Sequence, residues 1–360
     1  MRPCRALIDL KALRHNAQLA RRLAPRSKLM AVVKANAYGH GAAPVAAALE
    51  PLVDAMAVAS IDEALVLREA GVQSPILLLE GVFCADEIQL AQQHGFWLAV
   101  DNQHQLDWLE RAKLPAPVRA WLKLDSGMHR LGVTPEETDA AYRRLKACPQ
   151  VDENLVLFTH FANADDIDSP QTADQLRLFN NSCAEHEGLR SAANSPAVLA
   201  WPEAHLDWIR PGYMLYGNSP FDHQQASASE LQPVMTLRSN IISLRDLPVG
   251  AAVGYGASWT ARRPSRIATA TMGYGDGYPR AAGSGTPVLV KGQRAVLAGR
   301  VSMDMITIDV TDLNQVDVGD EVTLWGPELT VGEVAAHAGT IGYELTTRMP
   351  QRVERVYLDQ

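Results

Sequence analysis

LMAVV at residues 29–33 runs directly into KANAYGHG at 34–41, so five apolar residues without alternation give way to a polar, glycine-bearing turn. A short run that is apolar at every position is what a strand covered on both faces requires, as in a parallel sheet. Seven further runs repeat the pattern: DAMAVA at 54–59, PILLLE at 75–80, FWLAV at 96–100, RAWLKLD at 119–125, LVLFTHF at 155–161, LRSAANS at 189–195 and HLDWIRPG at 205–212. Helical patterns separate most of them. In SIDEALVLREAG at 60–71, Ser60 is placed to cap the start, Glu63 follows three residues on, Leu65 and Leu67 face inward and Gly71 ends the helix. Eight such units predict an α/β fold, a (β/α)8 TIM-type barrel over residues 1–230.

Beyond HQQASASE at 223–230, the expected boundary, the texture changes. MTLRSNIISL, RIATATM, TPVLVKG, DMITIDVTD and DEVTLWGP alternate, carry β-branched residues and are split by Gly, Pro and Asp turns. They predict a mainly antiparallel β domain over 231–360, interrupted by helical VGEVAAHAG and TIGYELTTRM before a final VERVYL.

The composition of the 360 residues fits this globular reading: 47% hydrophobic, 21% charged, net charge −8. An acidic chain without a Lys/Arg cluster argues against nucleic acid as a partner. Cys4, Cys84, Cys148 and Cys183 form no CxxC pair and lie far from zinc-finger spacing, so neither a metal site nor a disulfide framework is expected. The charged first fifteen residues do not form a signal peptide and no apolar run reaches 18 residues, which predicts a cytoplasmic protein off the membrane.

Lys34 follows the first barrel strand, on the face where barrel enzymes keep their chemistry. A lysine ending a strand can simply point to solvent. Here Asn36, Tyr38 and Gly39 follow it, groups suited to a ligand, and a buried lysine with a lowered pKa can form a Schiff base with an aldehyde. The loops after strands seven and eight are the usual phosphate site of such barrels, and they read NSPAVL and RPGYMLYG. Asn194 and Ser195 offer side-chain donors, and Gly212 lets the backbone at Gly212 and Tyr213 approach a ligand closely. Asn-Ser-Pro is equally a helix cap. A Schiff-base lysine and a phosphate cradle on one barrel face point to pyridoxal 5'-phosphate (PLP).

With VKANAYGHG at 33–41, WLKLDSGMHRLG at 121–132, THFANAD, NSPAVL, RPGYMLYG, VGYGASW, MGYGDGYPR, GRVSMDM and IGYEL in that order, the chain resembles the alanine racemases from end to end. The resemblance implies a PLP-dependent isomerase that interconverts L- and D-alanine, built as a homodimer whose active sites are each completed by the partner's β domain. Lys34 would hold the cofactor and act as one base, and Tyr255 from the other subunit would be the opposing base. The chemistry needs two, because the proton leaves Cα on one side and must return on the other. Tyr is a poor base at its ordinary pKa of about 10, so His160 and Arg210 would assist it.

The resemblance also sets Arg210 against the cofactor's pyridine nitrogen, where a permanent cation opposes protonation. Tyr38, His160, Asn194, Ser195, Gly212, Tyr213 and Tyr343 would complete the cofactor site. Arg130 and the backbone N–H of Met303 would bind the substrate carboxylate, with Lys123 as a carbamylated support for Arg130. Tyr343 with Tyr255 would narrow the entrance to small side chains, and Asp165, Tyr274, Arg280 and Arg300 would line the access corridor. Ser302 stands where some relatives carry cysteine, so thiol reagents are not expected to inhibit there. A PLP-binding protein consisting of the barrel alone would leave the β domain unexplained, and the glycine-rich triplet and catalytic cysteine segment of related barrel decarboxylases are missing. D-alanine would serve as a peptidoglycan precursor or arise in alanine catabolism.

Overall fold

All eight apolar runs are strands of one closed parallel barrel. In this computed structural model, which describes residues 2–359, they follow a first strand, β1 (Arg5–Asp9), as β2 (Lys28–Val32), β3 (Ala55–Val58), β4 (Ile76–Leu78) and β5 (Phe96–Val100). β6 (Ala120–Lys123), β7 (Val156–Phe158), β8 (Leu189–Ser191) and β9 (Trp208–Ile209) complete the ring, which closes where Lys28 and Leu29 of β2 pair with Trp208 and Ile209. Successive side chains point to opposite faces of a strand, so Leu29 and Ala31 pack outward while Met30 and Val32 fill the barrel. Inside, Ala55, Ala57 and Ala99 leave room for Trp121, Trp208 and Phe158, with the Trp121 and Trp208 rings 5.5 Å apart. This apolar plug confines charged chemistry to the C-terminal mouth of the barrel.

The helix Ile61–Glu69 forms where the sequence predicts it, with Leu67 buried and Leu65 half-buried. Its start is held differently from the expectation. Ser60 makes no side-chain cap, and Glu63 accepts from the N–H groups of Ala59 (2.8 Å) and Ala35 (2.6 Å).

The second expected layer is an eight-stranded, mostly antiparallel sheet. Its long strand β10 (Met235–Leu247) pairs with 321–325 through its first half and with 265–270 through its second, turning at an irregularity between Ile241 and Ser243. Strands 306–309, 293–297 and 287–290 connect those two partners and close the ring. β1 was expected within the barrel portion, yet it lies antiparallel to β10 and parallel to the last strand, Glu354–Leu358. The short alternating segment RALID has the period of a one-face strand, and its partners lie more than 200 residues away in sequence. Asp9 then caps helix Leu10–Leu23, and buried Asn16 of that helix bonds the backbone of Leu215 and Gln232.

Ile8 is fully buried between the layers. Ile8→Ala should lower stability by about 2–5 kcal/mol in urea unfolding, the range for deleting a buried aliphatic side chain. A change within experimental error would mean that β1 contributes no core packing.

Candidate active site

Leaving β2, the chain makes a turn of opposite hand to an ordinary helix. Ala35, Asn36, Ala37 and Tyr38 have φ of 52°, 54°, 54° and 51°, and Gly39 continues at 82°. Left-handed geometry costs an L-residue roughly 1–2 kcal/mol, so four in succession persist only when their surroundings over-determine them. Those surroundings are visible. Glu63 takes the Ala35 N–H, Tyr38 stacks on Tyr216 at 4.8 Å, and Tyr216 stacks on His40 at 4.5 Å. From the last strand, Arg355 Nε donates to Gly39 O at 2.7 Å and Tyr357 Oη donates to His40 O at 3.2 Å. The turn sets Lys34 and Tyr38 on one cavity wall, while Asn36 turns away and accepts from Ala42 N at 2.7 Å, so it is no ligand group. Lys34 is half-buried rather than buried.

That cavity, of about 1190 Å³, brings together Lys34, Tyr38, Arg130, His160, Asp165, Asn194, Ser195, Arg210, Gly212, Tyr213 and Tyr343. Its deepest charge is Arg210. The guanidinium is buried, donates to Ser191 Oγ and to the carbonyls of Thr159 (2.5 Å) and Ala192 (3.4 Å), and meets no carboxylate among the described residues. Burial pushes its pKa down to about 9, which still leaves it cationic at neutral pH. His160 is pushed well below its ordinary value of 6.5, first by burial and then by Arg210, Lys123, Arg130 and Lys34, so it is neutral. Lys123, at the end of β6, is buried beside the cavity and pushed down to about 8, mainly by burial and against the pull of Asp101.

At the other end, Ser195 Oγ accepts from the N–H groups of Gly212 (2.9 Å) and Met214 (3.2 Å), which leaves its own hydroxyl proton to donate. Of the two backbone donors expected here, the Gly212 N–H is therefore taken and that of Tyr213 has no acceptor among the described residues. A Cβ on Gly212 would fall 2.3 Å from Tyr38 Oη, so only glycine admits the tyrosine hydroxyl to this corner. Tyr343 stacks on Tyr213 at 3.6 Å, and burial raises the pKa of both, while it pushes that of Tyr38 up to about 12. Asn194 acts as the helix cap, its Oδ1 accepting from Ala197 N at 3.3 Å.

Tyr255, Tyr274, Met303, Arg280 and Arg300 are not in this cavity. They lie exposed in the β domain, Tyr255 69% and Met303 54% accessible. Tyr274 N donates to Ser302 O and Gly275 N to Met303 O, and Arg300 lies against the turn of Tyr255, so four of the five share one face. The Met303 N–H has no acceptor among the described residues. In the sequence Glu63 reads only as part of a helix start, and His40 and Tyr216 are not singled out there.

The family model for the alanine racemase N-terminal domain matches residues 8–220, and that for the C-terminal domain matches 234–357. This chain belongs to the alanine racemase family. An alanine racemase of Pseudomonas taetrolens is 53% identical over 363 residues, covering all of both chains. A catabolic alanine racemase of Pseudomonas putida is 52% identical with the same coverage. Among solved structures, a biosynthetic alanine racemase from Pseudomonas aeruginosa matches with a TM-score of 0.96 at 50% identity, over 99% of this chain and 100% of that one. Alanine racemases are isomerases, so the cavity belongs to an enzyme fold, and no described helix is long and apolar enough to cross a membrane.

His40 is fully buried and pushed down to about 4 by desolvation. Its unfolded pKa is near 6.5, so the unfolded chain binds the proton more readily and stability is lost as pH falls from about 6.5 toward 4, by up to about 1.4 kcal/mol per pH unit for each such group. His160 acts in the same direction. Histidine-ring NMR at pH 5.5 should find both rings neutral; a charged His40 ring at that pH would contradict the packing described.

Proposed function

We propose that the chain racemises alanine with PLP as its resident cofactor, in two sites of a homodimer, each completed by Tyr255 and Met303 of the partner subunit. The observation that carries this reading is the division of the site. The cavity holds one lysine, an anion corner and a cluster of cations, while the second tyrosine and a free backbone donor stand exposed on another face of the same chain.

The residues suit PLP. Ser195 Oγ–H, the Tyr213 N–H and the Tyr38 and Tyr343 hydroxyls would hold the phosphate, donors around an anion. Arg210, a buried cation that meets no carboxylate among the described residues, would stand at the pyridine nitrogen, and Lys34 would take the aldehyde. When bound, PLP draws off the electron pair left at Cα once its proton is removed.

This chain's residues would do the rest. Arg130, which has no ion pair among the described residues, would grip the substrate carboxylate with two parallel hydrogen bonds, aided by the N–H of Met303 of the partner subunit. Lys34 Nζ would take or return the Cα proton on one face and Tyr255 Oη of the partner subunit on the other. Neutral His160 can accept a hydrogen bond from that hydroxyl, and the Arg210 charge behind it lowers the cost of a phenolate. Tyr343 with Tyr255 of the partner subunit would exclude large side chains, and Asp165, with Tyr274, Arg280 and Arg300 of the partner subunit, would line the approach.

The lowered pKa of Lys123 makes its neutral amine available to add carbon dioxide with release of a proton, and the resulting carbamate would offset the charge of Arg130. Protein equilibrated with 13C-bicarbonate should give one carbamate NMR signal, absent in Lys123→Met. A spectrum without that signal would leave Lys123 as an amine.

Proton NMR of the PLP-loaded protein with L-alanine in heavy water should show loss of the Cα proton together with D-alanine. Exchange with retained configuration would remove Tyr255 from its assigned role. Lys34→Ala and Tyr255→Phe homodimers should each lose roughly 10²–10⁴-fold in rate. Mixing the two chains should restore activity through the one site that unites both intact residues, whereas inactive confirmed heterodimers would refute the shared site.

A further inference from the structure

Asp276 is fully buried, and nothing in the proposed reaction uses it. It sits in the MGYGDGYPR turn between Gly275 and Gly277, and two arginines from the two ends of the chain converge on it. Arg2 Nη1 donates to Asp276 Oδ1 and Arg2 Nη2 to Oδ2 at 2.7 Å, while Arg352 Nε lies 2.9 Å from Oδ1. Both arginines continue to the next loop: Arg2 Nη2 donates to Asp304 O at 2.6 Å and Arg352 Nη2 to Asp304 Oδ1 at 2.7 Å. Asp276 Oδ2 also accepts from Gly273 N at 2.9 Å. Two carboxylates and two guanidiniums therefore tie the Gly273–Gly277 turn to residues 302–304.

The backbones of those two loops are in direct contact. A Cβ on Gly273 would fall 2.2 Å from Met303 O, and one on Gly275 would meet Arg352 Nη1 at 2.8 Å. Tyr274 N donates to Ser302 O at 3.0 Å and Gly275 N to Met303 O at 2.9 Å. With Ser302 O held by Tyr274 N, the peptide plane between Ser302 and Met303 is set, and the Met303 N–H that it carries is left without an acceptor among the described residues. The one fully buried carboxylate of the cluster thus controls the loops that carry Tyr274 and Met303, without touching the cavity of its own subunit.

We propose that Asp276, with Arg2 and Arg352, is a positioning cluster that holds Tyr274 and the Met303 N–H in the register needed by the partner's active site. The inference rests on the shared-site reading above. Its loss would loosen the carboxylate donor at Met303, which acts on substrate binding more than on proton transfer.

Two mixed dimers separate this role from general destabilisation. In the first, a Lys34→Ala chain is paired with an Asp276→Asn chain, so the one working site receives an intact Asp276 loop. In the second, a chain carrying both substitutions is paired with an unsubstituted chain, so the one working site receives the Asp276→Asn loop. KM for alanine should be unchanged in the first and raised roughly tenfold in the second, with kcat per working site altered less than about threefold. Arg352→Gln, at a half-exposed position, repeats the pair if Asp276→Asn does not fold, and Arg352→Lys, which can keep only one of the two contacts, should fall between. Equal KM values in the two dimers overturn the assignment. If the Lys34→Ala and Tyr255→Phe chains still complement one another, the shared site stands and only this inference fails; if they do not, both fall.

Discussion

A guanidinium shut away from water among neutral oxygens is the constraint from which the rest of the cavity follows. Among the described residues Arg210 meets a hydroxyl and two carbonyls and no carboxylate, and burying an ion without an opposite charge costs several kcal/mol. Lys34, Lys123 and Arg130 add further positive charge nearby, which Asp101 and Glu80 offset only around Lys123. The barrel tolerates this because its interior is plugged with Trp121, Trp208 and Phe158, which keeps every charge at the mouth, where an anion can reach it. A neutral His160 is one result. Another is a pocket whose electrostatics favour an anionic ligand before any specific contact is considered.

The barrel was legible because eight short, strand-like runs, mostly separated by helical patterns, leave few arrangements other than a closed parallel sheet. β1 was not, since RALID is too short to announce a sheet and pairs with residues at the far end of the chain. Lys34, Tyr38 and Ser195 could be chosen as ligand-site residues from their positions after barrel strands, and Arg210 from the family resemblance. Asn194 could not be sorted, because an amide before a helix serves a cap or a ligand equally well, and here it serves the cap; Asn36, read as suited to a ligand, instead accepts from Ala42 N. Nothing local singles out Asp276, an aspartate between two glycines. Only its distant partners, Arg2 and Arg352, reveal a buried ion cluster.

Nor does local preference explain the left-handed turn after Lys34. Of its four residues only Asn36 belongs to a type that visits this region readily, and the two alanines have no such tendency. The geometry is imposed by Glu63 on one side and by Tyr216, His40, Arg355 and Tyr357 on the other. Stability taken from the core is spent on aiming one lysine.

Two of those supports, Arg355 and Tyr357, lie in the last strand, more than 300 residues after the turn they hold. A contact of such sequence separation is among the slowest to form. The barrel strands pair with their near neighbours in sequence, so the walls can assemble while the lysine turn is still unsupported. The reactive geometry is therefore completed only when Arg5–Asp9 and Glu354–Leu358 meet in the same sheet.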